Sequence, residues 1–193
     1  MTQEITLKSL WDDAHAATLD EPGKLLYRSN LLGSDLRITN FGGGNTSAKV
    51  AATDPLSGEP VQVLWVKGSG GDIGSMKLDG FATLYMTKLM QLRAQYRGLD
   101  QEDAMVEALG HTIFNLNPRA PSIDTWLHGF VPYAHVDHVH SDAVIAIAAS
   151  ADQVRLTQEI FGGELGYLPW QRPGIDLGIK LGRMAEENPE LKG

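Results

Sequence analysis

The sequence predicts an α/β unit of mixed order whose sheet pairs antiparallel. Two observations lead there. A turn cluster from Thr53 to Pro60 is followed by the β-branched run Val61 to Val66, which reads as the second arm of a β-hairpin. Apolar stripes at helical spacing lie on both sides of that hairpin, before it at Leu25, Leu26, Ser29 and Leu32 and after it at Leu84, Leu89 and Leu92. No internal repeat, low-complexity tract or linker divides the chain, so one domain is expected over residues 1–193.

Taken in order, Ser9 to Ala17 and Glu21 to Leu32 read as helices, separated by a break at Pro22 and Gly23. Residues 41–47, Phe-Gly-Gly-Gly-Asn-Thr-Ser, are too glycine-rich for a regular element and predict a tight turn into a strand over Ser47 to Ala51. A second glycine-rich loop runs from Lys67 to Gly74. Phe81 to Tyr96 reads as an amphipathic helix with Phe81, Leu84, Tyr85, Leu89, Leu92 and Tyr96 on one side. Gln101 to Phe114 reads as another, with Asp100 as N-cap and Asp103 in its first turn. Pro118 and Pro121 break the chain before a helix from Asp124 to Phe130. A short strand is expected over Val136 to His140, and then a helix over Ala143 to Ala149, capped by Ser141 or Asp142. Further helices are expected over Ala151 to Ile160 and Asp176 to Glu187, joined by a Gly/Pro-rich connection from Gly162 to Gly174.

Composition narrows the function classes. The 193 residues are 42% hydrophobic and 21% charged, ordinary values for a globular domain. A net charge of −8 disfavours nucleic acid and anionic membrane surfaces as partners. A small phosphorylated ligand remains open, because backbone N–H groups bind phosphate even in an acidic protein. With no cysteine, disulfides and thiolate metal sites are excluded. Met1 to Leu10 lacks the apolar core of a signal peptide and no run is long enough to span a bilayer, so a cytoplasmic location is expected.

The sharpest chemical feature is His138-Val139-His140. On a strand, side chains at i and i+2 leave the same face, so both imidazoles can converge on one ion of the zinc type. Two histidines alone do not specify a site, and two unrelated histidines are an equal reading. His135 would face the other way on a regular strand, and His15 and His111 fall in expected helices as structural or surface residues. Asp124 and His128 are four apart on one helical face. Asp124 suits a metal ligand or general base, and as an isolated residue suits a helix cap better. The loops at 42–47 and 67–74 can hold an anion or serve as plain turns. Neither matches a nucleotide fingerprint, since position 73 is Ile and position 47 is Ser where a third glycine is required.

The ordered set Gly-Gly-Asn-Thr-Ser (43–47), Lys-Gly-Ser-Gly (67–70), Pro-Ser-Ile-Asp (121–124) with His128, and His138-Val139-His140 resembles the class II aldolase/adducin family. Within it, residues 137–144 and 169–174 are most similar to the aldolase half of bifunctional rhamnulose-1-phosphate aldolase/dehydrogenase proteins. The resemblance implies a three-layer α/β/α domain with a mixed, largely antiparallel central sheet. It implies a zinc-dependent lyase that reversibly cleaves a ketose 1-phosphate to dihydroxyacetone phosphate and lactaldehyde. His138 and His140 would be metal ligands, with the third histidine expected beyond residue 193, so the chain reads as truncated at its C-terminus. Asn45, Thr46, Ser69, Gly70 and Ser122 would surround the phosphate, and Asp124 would stand in the place of the family's catalytic glutamate. Ile123 replaces a second serine of the fuculose-phosphate aldolases. A homo-oligomer is expected for the intact domain. The family also contains pentulose-phosphate 4-epimerases and non-catalytic adducin-like domains, which are the alternative readings.

Overall fold

A computed structural model describes residues 8–116 and 119–193, so the expectations for Pro118 and for the first seven residues lie outside it. Its centre is a sheet of strands β1 (Asn45–Thr53), β2 (Pro60–Lys67), β3 (Phe81–Tyr85) and β4 (His135–His138). Their spatial order is β3-β2-β1-β4, and every pairing is antiparallel. The hairpin read from the sequence is the β1–β2 pair, in register from Ser47 opposite Val66 to Thr53 opposite Pro60.

Two layers cover the sheet. On one face lies α2 (Glu21–Ser34), where Leu25 meets Ala48 and Phe81 in a small core. On the other lie α3 (Met86–Gln95), α5 (Thr125–Phe130) and α8 (Ile175–Glu187). Here Leu64, Val66, Ala82 and Leu84 meet Leu89, Trp126, Phe130 and Ile175 in the larger core. The architecture is the expected three-layer α/β/α arrangement. The remaining helices are α1 (Asp13–Ala16), α4 (Glu102–Ala108), α6 (Asp142–Ala148) and α7 (Gln153–Phe161).

Several local expectations are corrected. Phe81 to Tyr85 is a strand, and only Met86 to Gln95 is helical. Residues 81–84 are all buried, which an amphipathic surface helix cannot achieve but an inner strand with both faces covered can. The helical spacing of Phe81, Leu84 and Tyr85 coincides with a β-rich run that β2 captures. The helix expected over 101–114 ends at Ala108 and tightens into a 3₁₀ turn from Leu109 to Thr112. Asp100 does not cap it, because Leu99–Gln101 form a 3₁₀ turn of their own.

The first helix spans only Asp13–Ala16, where the Asp12 carboxylate accepts from the N–H groups of Ala14 and His15 at 2.8 and 3.1 Å. Pro22 and Gly23 sit inside the first turn of α2, where proline lacks only a hydrogen bond that no helix makes. Strand β4 stops at His138, two residues early. His140 instead donates its N–H to Thr39 Oγ1 at 3.1 Å, and its carbonyl accepts from Asn40 N at 2.9 Å. No helix among the described residues is long and apolar enough to cross a membrane.

Candidate active site

The site forms where β1 and β4 meet the N-terminus of α5. Asn45 opens β1 directly opposite His138, and Ser47 lies opposite Val136. Alternation along β1 turns Asn45 and Ser47 toward α5 and Thr46 toward α2. The Asn45 amide oxygen accepts from His138 Nδ1 at 3.0 Å. An oxygen can only accept here, so Nδ1 carries the proton and His138 Nε2 keeps its lone pair. That orienting contact is the kind that metal-ligating histidines use.

His138 Nε2 and His140 Nε2 face each other at 3.0 Å. Two zinc–nitrogen bonds of about 2.0–2.1 Å at a tetrahedral angle hold their donors roughly 3.3 Å apart. The spacing therefore fits a shared cation, even though His140 lies beyond the strand. Without a cation, one ring must donate to the other. Burial first lowers the pKa of His138, against the pull of Asp124, and His140 and Lys67 lower it further. The shift favours the neutral ring, the form whose lone pair a metal needs.

The glycine turn admits these rings. A Cβ on Gly43 would stand 2.7 Å from His140 Nδ1, and one on Gly44 would stand 2.6 Å from the His138 carbonyl oxygen. Gly44 also has φ +82°, a conformation open to glycine. The turn is thus shaped by the histidines that press against it.

Asp124 is the N-cap residue of α5, yet its side chain makes no capping hydrogen bond, which corrects the cap reading. Its Oδ2 accepts from Ser122 Oγ at 3.2 Å and lies 4.0 Å from His138 Nδ1. The carboxylate is therefore turned to the histidines. Among the described residues, no group of three His, Cys, Asp or Glu side chains is placed to hold a metal ion. The two imidazoles fit part of a zinc shell.

The expected phosphate residues separate. Thr46 is fully buried, and its hydroxyl is 2.6 Å from that of Ser29 on α2, away from His138. Ser69 is exposed, and its N–H is engaged by Ala120 O at 3.0 Å. Gly70 and Gly71 are exposed, with φ of +73° and +77°. With Lys67, Ser75, Lys77 and Arg119, among others, they line a pocket of about 200 Å³.

Lys67, which the sequence offers only as part of the second glycine-rich loop, becomes a candidate in its own right through its burial. It is 5% exposed, its Nζ donates to Gly70 O at 3.1 Å, and no carboxylate lies within ion-pair distance among the described residues. Burial lowers its pKa, while Asp124 and Asp72 pull it back up. A buried cation beside an open loop is suited to an anion. The available signal is its position at the head of the glycine loop, after a β-rich run.

His135 faces α2, as alternation requires, with its Nδ1 3.2 Å from Arg28. His15 stacks edge-on against Tyr27, and His111 is exposed in the 3₁₀ turn. His128 is wholly buried, its Nδ1 2.8 Å from Ser47 Oγ. It lies beneath the site and is closed to solvent. From the Asn45 contact we expect Asn45→Ala to weaken metal binding about 10- to 100-fold. A cobalt titration reads this, and unchanged affinity would deny the orienting role.

Comparisons with known proteins bear on the fold and the family. The family described as the class II aldolase and adducin N-terminal domain matches residues 24–190. The N-terminal class II aldolase domain of a conserved protein from Thermoplasma acidophilum is 29% identical. It superposes with a TM-score of 0.76 over 95% of this chain and 81% of that one. A protein of Bacillus subtilis (strain 168) named uncharacterized oxidoreductase YuxG is 39% identical over 187 residues. That alignment covers 96% of this chain and 27% of the relative, so the chain spans about a quarter of its length.

Proposed function

The chain belongs to the class II aldolase and adducin family, and from that premise we propose that it carries the lyase site for a ketose 1-phosphate, rhamnulose 1-phosphate in particular. The observation that carries the reading is the 3.0 Å approach of the two imidazole Nε2 atoms, with the Asp124 carboxylate 4.0 Å from Nδ1 of His138. A divalent cation, zinc by the donor set, would be held by His138 and His140 and by a donor outside the described residues. When bound, it supplies Lewis-acid chemistry, polarising a carbonyl and stabilising the negative charge left by carbon–carbon cleavage.

The chain's own residues do the rest. Asn45 fixes the His138 ring, so Nε2 is presented rather than Nδ1. In the cleavage direction the C4 hydroxyl gives up its proton to solvent as C4 becomes the aldehyde, the bond between C3 and C4 breaks, and C3 must gain a proton. Asp124 delivers that proton and recovers it in the condensation direction. Ser122, which donates to Oδ2, holds the carboxylate in one rotamer. Lys67 and the open Gly70-Gly71 backbone take the phosphate, so binding energy remote from the reacting carbons orients them. The word oxidoreductase in the Bacillus relative's name describes a protein of which this chain spans 27%, and it is not carried over.

The test is incubation with rhamnulose 1-phosphate and added zinc, followed by product analysis. The expected result is dihydroxyacetone phosphate and lactaldehyde, with loss of turnover in His140→Ala. Turnover unchanged in that variant would end the metal reading. Inversion of a pentulose phosphate without net cleavage would assign the epimerase chemistry instead.

A further inference from the structure

We propose that Arg28, on the face of the sheet opposite the site, is a positioning residue for the histidine pair. Three hydrogen bonds leave its guanidinium. Nε donates to Asp137 Oδ1 at 3.0 Å, one terminal nitrogen to His135 Nδ1 at 3.2 Å, and the other to the Ser47 carbonyl at 2.8 Å. One planar group thus clamps two side chains of β4 and the backbone of β1 together. The clamp acts where the sheet needs it. Strand β4 is four residues long and lies at the sheet edge, paired among the described residues with β1 and no other strand. A short edge strand has few ladder bonds to define its register and twist.

Asp137 immediately precedes His138, and the two side chains leave opposite faces of the strand. Rotation of β4 about its axis would swing Asp137 and His138 together, so holding the first holds the second. Helix α2 spreads this control over three consecutive residues. Arg28 holds β4, and Ser29 holds Thr46 at the start of β1. Asn30 donates to Ile73 O and Met76 O at 2.9 and 3.3 Å, seating the end of the second glycine loop. Lysine cannot replace Arg28, because a single ammonium does not present donors in a fixed planar fork.

This inference rests on His138 and His140 forming the metal-binding pair, and the experiment keeps the two apart. Cobalt titrations of the full chain compare wild type with Arg28→Lys and Asp137→Asn, well below the melting temperature. The expected result is affinity lower by about tenfold in both variants, at the weak end of outer-shell effects on metal sites. A merely structural role would lower the melting temperature and leave cobalt affinity alone, which would overturn the proposal. Wild-type protein that takes up no cobalt would remove the metal reading. The imidazole ¹⁵N spectrum of the metal-free protein then decides the clamp. Disappearance in Arg28→Lys of the signals from the hydrogen bond between His138 and His140 sustains the positioning role, and their persistence overturns it.

Discussion

Gly178→Ala and Gly182→Ala should each lower stability by roughly 2 kcal/mol, a melting-temperature drop of about 4–8 °C in a chain of this size. Helix α8 reaches α5 through these two residues, one turn apart on its buried face. A Cβ at Gly178 would stand 2.8 Å from Trp126 Cβ, 2.9 Å from its carbonyl carbon and 3.0 Å from its carbonyl oxygen. At Gly182 the nearest atom would be the Phe130 carbonyl oxygen at 2.7 Å. Most of these neighbours are backbone, which no rotamer change can move aside.

The added methyl also favours the helix itself by about 1 kcal/mol, since glycine is a poor helix former. Overpacking costs of about 1–3 kcal/mol set the opposite sign, and rigid backbone contacts push toward the upper end. The consequence reaches the site, because every residue of α5 is buried and Asp124 stands at its N-terminus. Thermal unfolding of the two variants checks this. Stability equal to or above wild type would mean that α8 is not seated against α5 as described.

Stability should also fall steeply as solution turns acidic, and the fall should depend on His128. Burial, with His138 and Lys49 adding, pushes this imidazole from an ordinary 6.5 down to about 3. Between those values the unfolded chain binds a proton that the folded chain refuses. The stabilisation is therefore complete above about pH 6.5 and is lost as pH falls toward 3. Each pH unit within the window costs about 1.4 kcal/mol, so going from pH 6 to pH 4 should remove roughly 2–3 kcal/mol. His128→Asn keeps a partner for Ser47 Oγ and cannot titrate. Denaturant unfolding across this range should show a shallower slope in the variant. Equal slopes would mean that His128 ionises normally in the folded protein.

The fold is legible in part because its signals are local. The β1–β2 hairpin follows from a turn cluster beside a β-branched run, and α2 follows from an apolar stripe at helical spacing. Phe81 to Tyr85 is ambiguous because its spacing satisfies both periods, and only β2 beside it selects the strand. Among the site residues, His138 and His140 are legible as a pair from spacing, and His135 is legible as facing away. Thr46 is not, because the expected strand begins at Ser47 whereas β1 begins at Asn45, and alternation from there turns Thr46 to Ser29 on α2. Lys67 is legible only as part of its loop, because a lysine in a sequence carries no mark of burial.

What the sequence determined by itself was the inventory: two imidazoles one residue apart, a carboxylate after a proline break, and glycines where chain must pass closely. Tertiary structure decided which groups face one another. It ended β4 at His138 and still brought His140 back to 3.0 Å, turned Asp124 from its helix toward His138, and buried His128. Side-chain direction is set by strand register and by the helices behind the sheet. Those pairings join residues separated by up to 109 positions, as Arg28 and Asp137 are, and no local pattern encodes them.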